Sequence, residues 1–355
     1  MQELLDTFRG SLLREEQTAF IENHLLNADD DLLSSFLTLL KNEDLDLLLY
    51  GFLREYKNSS PRFESMRAEL HKNFVLEKAR QFYQLEELKE ILQCFPDSTL
   101  LLKGLSLCHY LEKDIYKRSV DIDLLVTKNH QKSAIQKALQ LGYEMTKRYY
   151  AYGEYSFEKG KHLYIDLHYD LSVSAPLMRI FDINQEELFL KKTNVAFQQT
   201  MIPTLNKETT LLYLCIHLVI NHQMNGFMLL YEITLFLSLH SKSLCFDNLI
   251  NTSNRFKLNQ ILYIALAIVG FHAKVGWCGR ELFEKLRADT SNVHRMDQYL
   301  SNYCVQQNAL VNRNRMDREF RRLFTDNFTS KIRYGTGLMN FFLKGAWLRI
   351  NDKID

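Results

Sequence analysis

The sequence predicts an α+β fold in which a mixed sheet is flanked by helical regions at its N- and C-terminal sides, and three observations carry that expectation. Chain breakers are scarce, with 13 glycines and 4 prolines in 355 residues, as in a mostly helical protein. The apolar period changes from three-and-four spacing to alternation near Ser98, and changes back near Lys207. Composition is that of a packed protein: 46% hydrophobic and 25% charged residues exclude a disordered chain.

From Leu4 to about Tyr56, residues such as Phe20, Leu25, Leu32, Leu33, Phe36, Leu39 and Leu40 recur as the stripe of amphipathic helices. Asn58-Ser59-Ser60-Pro61 breaks that pattern, and a long helix is predicted over 62–93, closed by Pro96 and Asp97. Thr99 to Leu102 reads as a short strand ending at Gly104, followed by a helix carrying Ser106, His109 and Tyr110, then a second strand over 120–126. Asn129 is predicted to cap a helix through Leu141. Alternation from Tyr143 to about Ser172 predicts strands with hairpin turns at Gly153 and Gly160, and one more strand lies near 195–202. Helical periodicity from Lys207 continues almost to the end, with breaks at Asn225-Gly226, 241–243, 276–279 and 335–337. Three domains are therefore expected: helical over 1–95, α+β over 96–205, and helical over 206–355.

Charge narrows the partners. With 44 Lys+Arg against 43 Asp+Glu, a formal net charge of +1 argues against a broad nucleic-acid-gripping surface, which needs surplus cations to displace counterions. Six scattered cysteines without a C-x-x-C pair suggest neither a zinc knuckle nor a disulfide framework, but buried free thiols. The acidic first residues do not resemble a signal peptide, so a cytoplasmic location is expected. The longest uncharged stretch, Leu258 to Ala273, is shorter than the roughly 20 apolar residues needed to span a bilayer and predicts a buried helix, with no transmembrane segment.

Alternation on the strand 120–126 puts Asp121 and Asp123 on one face while Ile122 and Leu124 pack into the other. Like charges held that close repel unless a hard cation binds between them, and oxygen ligands suit magnesium or manganese. Upstream, Gly104 leads into a helix N-terminus, where free N–H groups could meet phosphate, with Lys103, Ser106 and Arg118 available nearby. In the later strand Asp166, His168 and Asp170 share a face, and Asp166 is placed to take a proton from an attacking hydroxyl, with Asp170 and Glu158 as other acids.

K-G at Lys103-Gly104, S-V-D-I-D-L-L-V at 119–126 and I-D-L-H at 165–168 together resemble the nucleotidyltransferase superfamily of DNA polymerase β-type fold. More narrowly, the chain is similar to the bacterial uncharacterised nucleotidyltransferases, related to minimal nucleotidyltransferases and AbiEii-type toxins. The resemblance implies two metal-binding aspartates, Asp121 and Asp123, a third acid, Asp166, as base or metal ligand, and a phosphate turn at Gly104 aided by Lys103, Ser106 and Arg118. It implies Mg2+ or Mn2+ as cofactor, an NTP such as ATP as co-substrate, and transfer of an NMP to a hydroxyl of an acceptor with release of pyrophosphate. A small-molecule acceptor is favoured over a protein or tRNA. The other readings are a catalytically degenerate binder and a toxin-like enzyme modifying a macromolecule. The loop departs from the superfamily's Gly-Gly or Gly-Ser: Leu105 follows Gly104, and the hydroxyl comes one place later.

Elsewhere the plainer reading is preferred. His217 and His222, five apart, do not share a face of an α-helix and read as satisfied core histidines; a functional role for either would be a contact to the nucleotide or acceptor from the helical domain. Arg313, Arg315, Arg318, Arg321 and Arg322, interrupted by acids, read as a solvated helix face, and residues 338–349 as a terminal packing helix. No Walker A, H-E-x-x-H or dinucleotide fingerprint occurs, and the hydrolase elbow G-x-S-x-G lacks its closing glycine.

Overall fold

The structure is a computed structural model describing residues 2–306, apart from residues 15, 58–60, 95–98, 113–116, 150–153, 161–162, 172–179, 198, 223–225, 274–278 and 291–292. The predicted breaks at Asn58–Ser60, Pro96-Asp97, Gly153 and 335–337, the arginine run and the 338–349 segment lie outside the described residues.

The amphipathic N-terminal stretch folds as α1 (Gln2–Arg14), α2 (Gln17–Phe20), a π turn (Ile21–Leu25), α3 (Asp30–Asn42) and α4 (Asp46–Glu55). Asp29 caps α3 by accepting the Leu32 amide at 2.7 Å, satisfying one of the orphan donors of the first turn. The long helix α5 spans Pro61–Cys94, with proline at its first position, where no N–H is missed.

Strand β1 (Thr99–Leu101) leads through Lys103 and Gly104 into α6 (Leu105–Tyr110), and β2 is Asp121–Val126. The next helix begins later than Asn129 suggests. Residues Lys128–His130 form a 3-10 turn in which the Thr127 hydroxyl meets His130 Nδ1 at 2.7 Å, and α7 runs over Gln131–Gln140. Strands β3 (Glu144–Tyr149), β4 (Glu154–Lys159) and β5 (Leu163–His168) form a meander, with Gly160 at φ +64 after β4. After α8 (Gln185–Leu190), the single strand expected near 195–202 is a hairpin, β6 (Thr193–Phe197) and β7 (Thr200–Thr204). Gln199 stands in a turn just before β7, and Pro203 sits within β7 opposite Asn194.

All seven strands form one mixed sheet in the order β3-β4-β5-β2-β1-β7-β6. Pairs β2–β5 and β1–β7 are parallel and the rest antiparallel. One face is apolar: Ile122, Leu124, Tyr155, Phe157, Ile165 and Leu167 are all buried. The other face carries the acids.

The C-terminal helices are α9 (Lys207–Ile216) continued by a π turn (His217–Asn221), α10 (Phe227–His240), α11 (Phe246–Phe256), α12 (Asn259–Ala273), α13 (Arg280–Asp289) and α14 (Val293–Gln306). The uncharged α12 is buried along Ile261 to Val269, as its sequence predicts, and among the described residues no helix is long and apolar enough to cross a membrane. Cys108 and Cys215 are buried thiols, whereas Cys245 is exposed. Helix α1 packs against α10 and α12, so N- and C-terminal helices meet and share one continuous apolar core with the sheet.

Candidate active site

Period-two alternation on β2, β4 and β5 builds the polar face row by row. Asp123 lies directly beside Asp166, which in turn lies beside Ser156; the next row is Leu125, His168 and Glu154. Asp121 begins the row of Tyr164 and Glu158 on the same face. The parallel register of β2 and β5 therefore brings together two carboxylates 43 positions apart in the chain.

Asp123 is almost completely buried. Its Oδ1 accepts from or faces His168 Nε2 at 2.9 Å, according to tautomer, and its Oδ2 faces Lys103 Nζ at 3.2 Å without hydrogen-bond geometry. Burial alone would raise its pKa, but the charges of Lys103 and His168 outweigh that and hold the carboxyl well below the usual range. Lys103 is correspondingly held well above its ordinary value: burial opposes the charge, and Asp123, Tyr213 and Asp121 overcome it.

The other carboxylates pay for this arrangement. Asp166 is pushed up to about 6 by burial, with the Ser156 hydrogen bond opposing and Asp123, Glu154 and Asp121 adding repulsion. Asp121 is raised by burial and by Asp123, and Asp170 is pushed up to about 6 by burial. His168 is raised because the bond to Asp123 and the charges of Asp123 and Glu154 exceed the effect of burial. Its Nδ1 stands 3.7 Å from Glu154 Oε2.

Among the described residues, Asp123, Asp166 and His168 offer donor atoms all within 4.8 Å of one another. Asp121 is on the same strand face but outside that set. Two carboxylates, an adjoining third and a buried oxygen lacking a hydrogen bond fit a hard divalent cation, with the histidine able to orient Asp123 as metal-site histidines and carboxylates orient each other.

The phosphate-side residues are placed less uniformly. Gly104 has φ +69 and ψ −116, a conformation essentially reserved for glycine, so this turn needs glycine for its backbone alone. Ser106 is buried, with its hydroxyl 3.5 Å from the Lys103 carbonyl. Arg118 points elsewhere: its guanidinium grips Asp44 and, at 2.7 Å, the fully buried Asp46 of α4. Lys117, the preceding residue, pairs with buried Glu232 of α10. Successive side chains thus tie this segment to helices on both sides, and Glu77 and Gln84 of α5 hold Ser119 through its N–H (2.7 Å) and carbonyl (3.1 Å).

Three participants were not expected at this face. Glu154 lies on a strand whose alternation alone did not mark it, and Tyr213 of α9 is coupled by charge to Lys103 and Asp123. His217 is the third, and it corrects the reading of a satisfied core histidine: its Nδ1 is buried without a hydrogen-bond partner among the described residues. Burial, then Lys103 and His222, hold its pKa well below the ordinary value. The five-residue spacing to His222, which separates side chains on an α-helix, closes to a ring distance of 4.7 Å because residues 217–221 form a π turn with His222 N–H donating to the His217 carbonyl at 3.1 Å. No spacing rule for α-helices could have shown this.

A family described as uncharacterised nucleotidyltransferase matches residues 30–270, about two thirds of the chain. No curated protein matches the sequence. Among solved structures, the lincomycin-bound lincosamide antibiotic adenylyltransferase LnuA shares 15% identity over 44% of this chain and 96% of that one, with a TM-score of 0.32, a likeness too slight to place residues.

Proposed function

The chain belongs to the uncharacterised nucleotidyltransferase family, a transferase by that membership, and on this premise we propose that it moves an NMP from an NTP to a hydroxyl of a small-molecule acceptor. The observation that carries the proposal is the in-register pairing of Asp123 with Asp166 on parallel strands, their carboxylates facing one side together with Asp121. In this reading residues 96–205 are the catalytic unit between helical units 1–95 and 206–355, and Asp121, Asp123 and Asp166 hold Mg2+ or Mn2+. A divalent ion there would neutralise charge developing on the α-phosphate and on the leaving pyrophosphate.

The chain's own residues do the rest. The acceptor oxygen bonds to the α-phosphorus as the bond to the pyrophosphate bridging oxygen breaks. Asp166, whose carboxyl burial pushes up to about 6 in the metal-free protein, accepts the proton the hydroxyl gives up. The Gly104 turn lets phosphate oxygens approach the backbone, and Lys103 supplies a half-buried positive charge beside them. Ser106 and Arg118 are held by the Lys103 carbonyl and by Asp44 and Asp46, so a phosphate role for either requires those contacts to open. A net charge of +1 supports a small acceptor over a long polyanion.

The test is calorimetric titration of ATP, GTP, CTP and UTP, each with Mg2+ or Mn2+, into the wild type and an Asp121→Asn/Asp123→Asn variant whose fold is checked by circular dichroism. Metal-dependent binding that the folded variant loses is expected. Nucleotide binding that needs no metal, or that the variant retains, overturns the metal assignment. The buried Ser106 and the engaged Lys103 favour one other reading, a protein that binds nucleotide without turnover; pyrophosphate release with any acceptor would exclude it.

A further inference from the structure

Helix α5 has apolar side chains on two opposite sides. Toward the core it buries Phe63, Met66, Leu70, Leu85, Leu88 and Ile91, but over its middle the inward positions are polar: Glu77, Gln81 and Gln84 are buried there, bonded to Ser119 and Cys108. The outward side of the same stretch is apolar. Val75, Leu76, Phe82 and Tyr83 stand exposed, Leu76 at 70% and Tyr83 at 60%, around an exposed Ala79.

At 3.6 residues per turn, these four side chains fall within about 60° of the direction of Ala79, and exposed Lys72 and Glu86 fall within about 20° of it. About Ala79 the stripe is symmetric in its apolar residues and opposite in charge at its ends, where Glu86 also pairs with Lys89 of its own helix at 2.6 Å and Glu69 with Lys41 at 2.6 Å. Read outward from Ala79 in both directions, Leu76 corresponds to Phe82, Val75 to Tyr83, Lys72 to Glu86, and Glu69 to Lys89.

We propose that this face is the interface of a homodimer, in which α5 packs antiparallel on α5 of a second copy about a two-fold axis passing Ala79. That arrangement sets Leu76 on Phe82 of the partner subunit, Val75 on Tyr83 of the partner subunit, and Lys72 against Glu86 of the partner subunit. The contact is isologous, as closed dimers require, and the small side chain at the axis lets the helices approach closely. Charge selects the direction: parallel pairing would put Lys72 on its own copy and Glu86 on its own copy, a like-charge penalty at both ends. The mixed signs along the stripe also disfavour an anionic lipid surface, which would attract Lys72 but repel Glu86 and Glu90. The contact from Lys72 to Glu86 is about 21 Å long, a small interface by the standards of obligate dimers, so a concentration-dependent equilibrium is expected. It lies behind the polar middle of α5 that holds Ser119, two residues before Asp121.

The test is sedimentation velocity on the full chain across micromolar concentrations, with Leu76→Glu and Phe82→Glu as variants and circular dichroism as the fold check. A dimer that Leu76→Glu weakens at least tenfold in Kd is expected. Lys72→Glu and Glu86→Lys should each weaken it, and the two together should restore it, because both cross-pairs are then re-formed with signs exchanged. Ala79→Cys should form a disulfide-linked dimer under mild oxidation beyond the wild-type background of the native cysteines, and Lys72→Cys should not. A wild type monomeric at all concentrations, a dimer indifferent to Leu76→Glu, or a charge exchange that fails to restore pairing overturns the proposal.

Discussion

Two charge networks, each around one buried aspartate, Asp46 or Asp123, lie near the entry of β2, and they are built on different terms. Around Arg118, one guanidinium lies between two carboxylates: it donates to Asp44 and to Asp46 Oδ2, and Asn73 donates to that same Oδ2 at 2.8 Å. Around Asp123, carboxylates crowd: Asp121, Asp123 and Asp166 share a sheet face with Glu154 beyond them, against one lysine and one histidine. In the first network the one cation bonds directly to both of its carboxylates and so anchors a segment. The second leaves Asp121 and Asp166 raised by burial and mutual repulsion, a conflict that a bound cation would relieve. Carboxylates bonded directly to a shared cation hold structure; carboxylates left facing one another mark a place for a ligand.

Arg118→Met should break this contrast open most visibly. It strips the fully buried Asp46 of its cation, and removing one partner of such a pair typically costs about 3–5 kcal/mol, to be read by urea denaturation. Asp166→Asn, equally close to the site, should leave stability unchanged or slightly raised, because it removes a repelled charge. If both variants destabilise alike, the two networks are not different in kind.

A second effect sharpens the comparison through pH. The Asp166 carboxyl titrates about 6 in the folded protein against an ordinary value of 3.8, so it is raised. A raised folded value means that its favourable contribution is complete below the unfolded value and is lost as pH rises through about 6. In metal-free protein, the stability of the wild type relative to Asp166→Asn should therefore decline between pH 4 and 6.5, and Mg2+ should lift the upper part of that curve. A flat difference across this window would place the Asp166 carboxyl in a less repulsive setting than its neighbours imply. The smallest effect belongs to a partly exposed helix-surface pair used as a control: Lys191→Ala, which loses a 2.6 Å contact with Glu187, should change stability by about 1 kcal/mol or less.

What could be read from the chain follows local periodicity. The long helix runs over 61–94 against an expected 62–93, and the strand at Asp121–Val126 and the acid strand at Leu163–His168 follow from alternation over six residues. The same alternation placed Asp121 with Asp123, and Asp166 with His168, on common faces. It could not say which strands pair. His168 shares a strand face with Asp166 and Asp170, but the parallel register of β5 against β2 gives its side chain to Asp123.

By itself, then, the sequence determined the elements, the faces and the acidic motif, because helix and strand periods are set by neighbours within a few residues. Only the tertiary structure decided the partners. Arg118 binds Asp44 and Asp46, more than 70 positions away, and it was expected at phosphates because its own neighbourhood contains nothing that reveals those acids. The π turn that joins His217 to His222 is a choice of hydrogen-bond register, i to i+5 in place of i to i+4, which composition does not encode. Long-range pairing is where burial and charge must be satisfied together, and that condition exists only once the chain is folded.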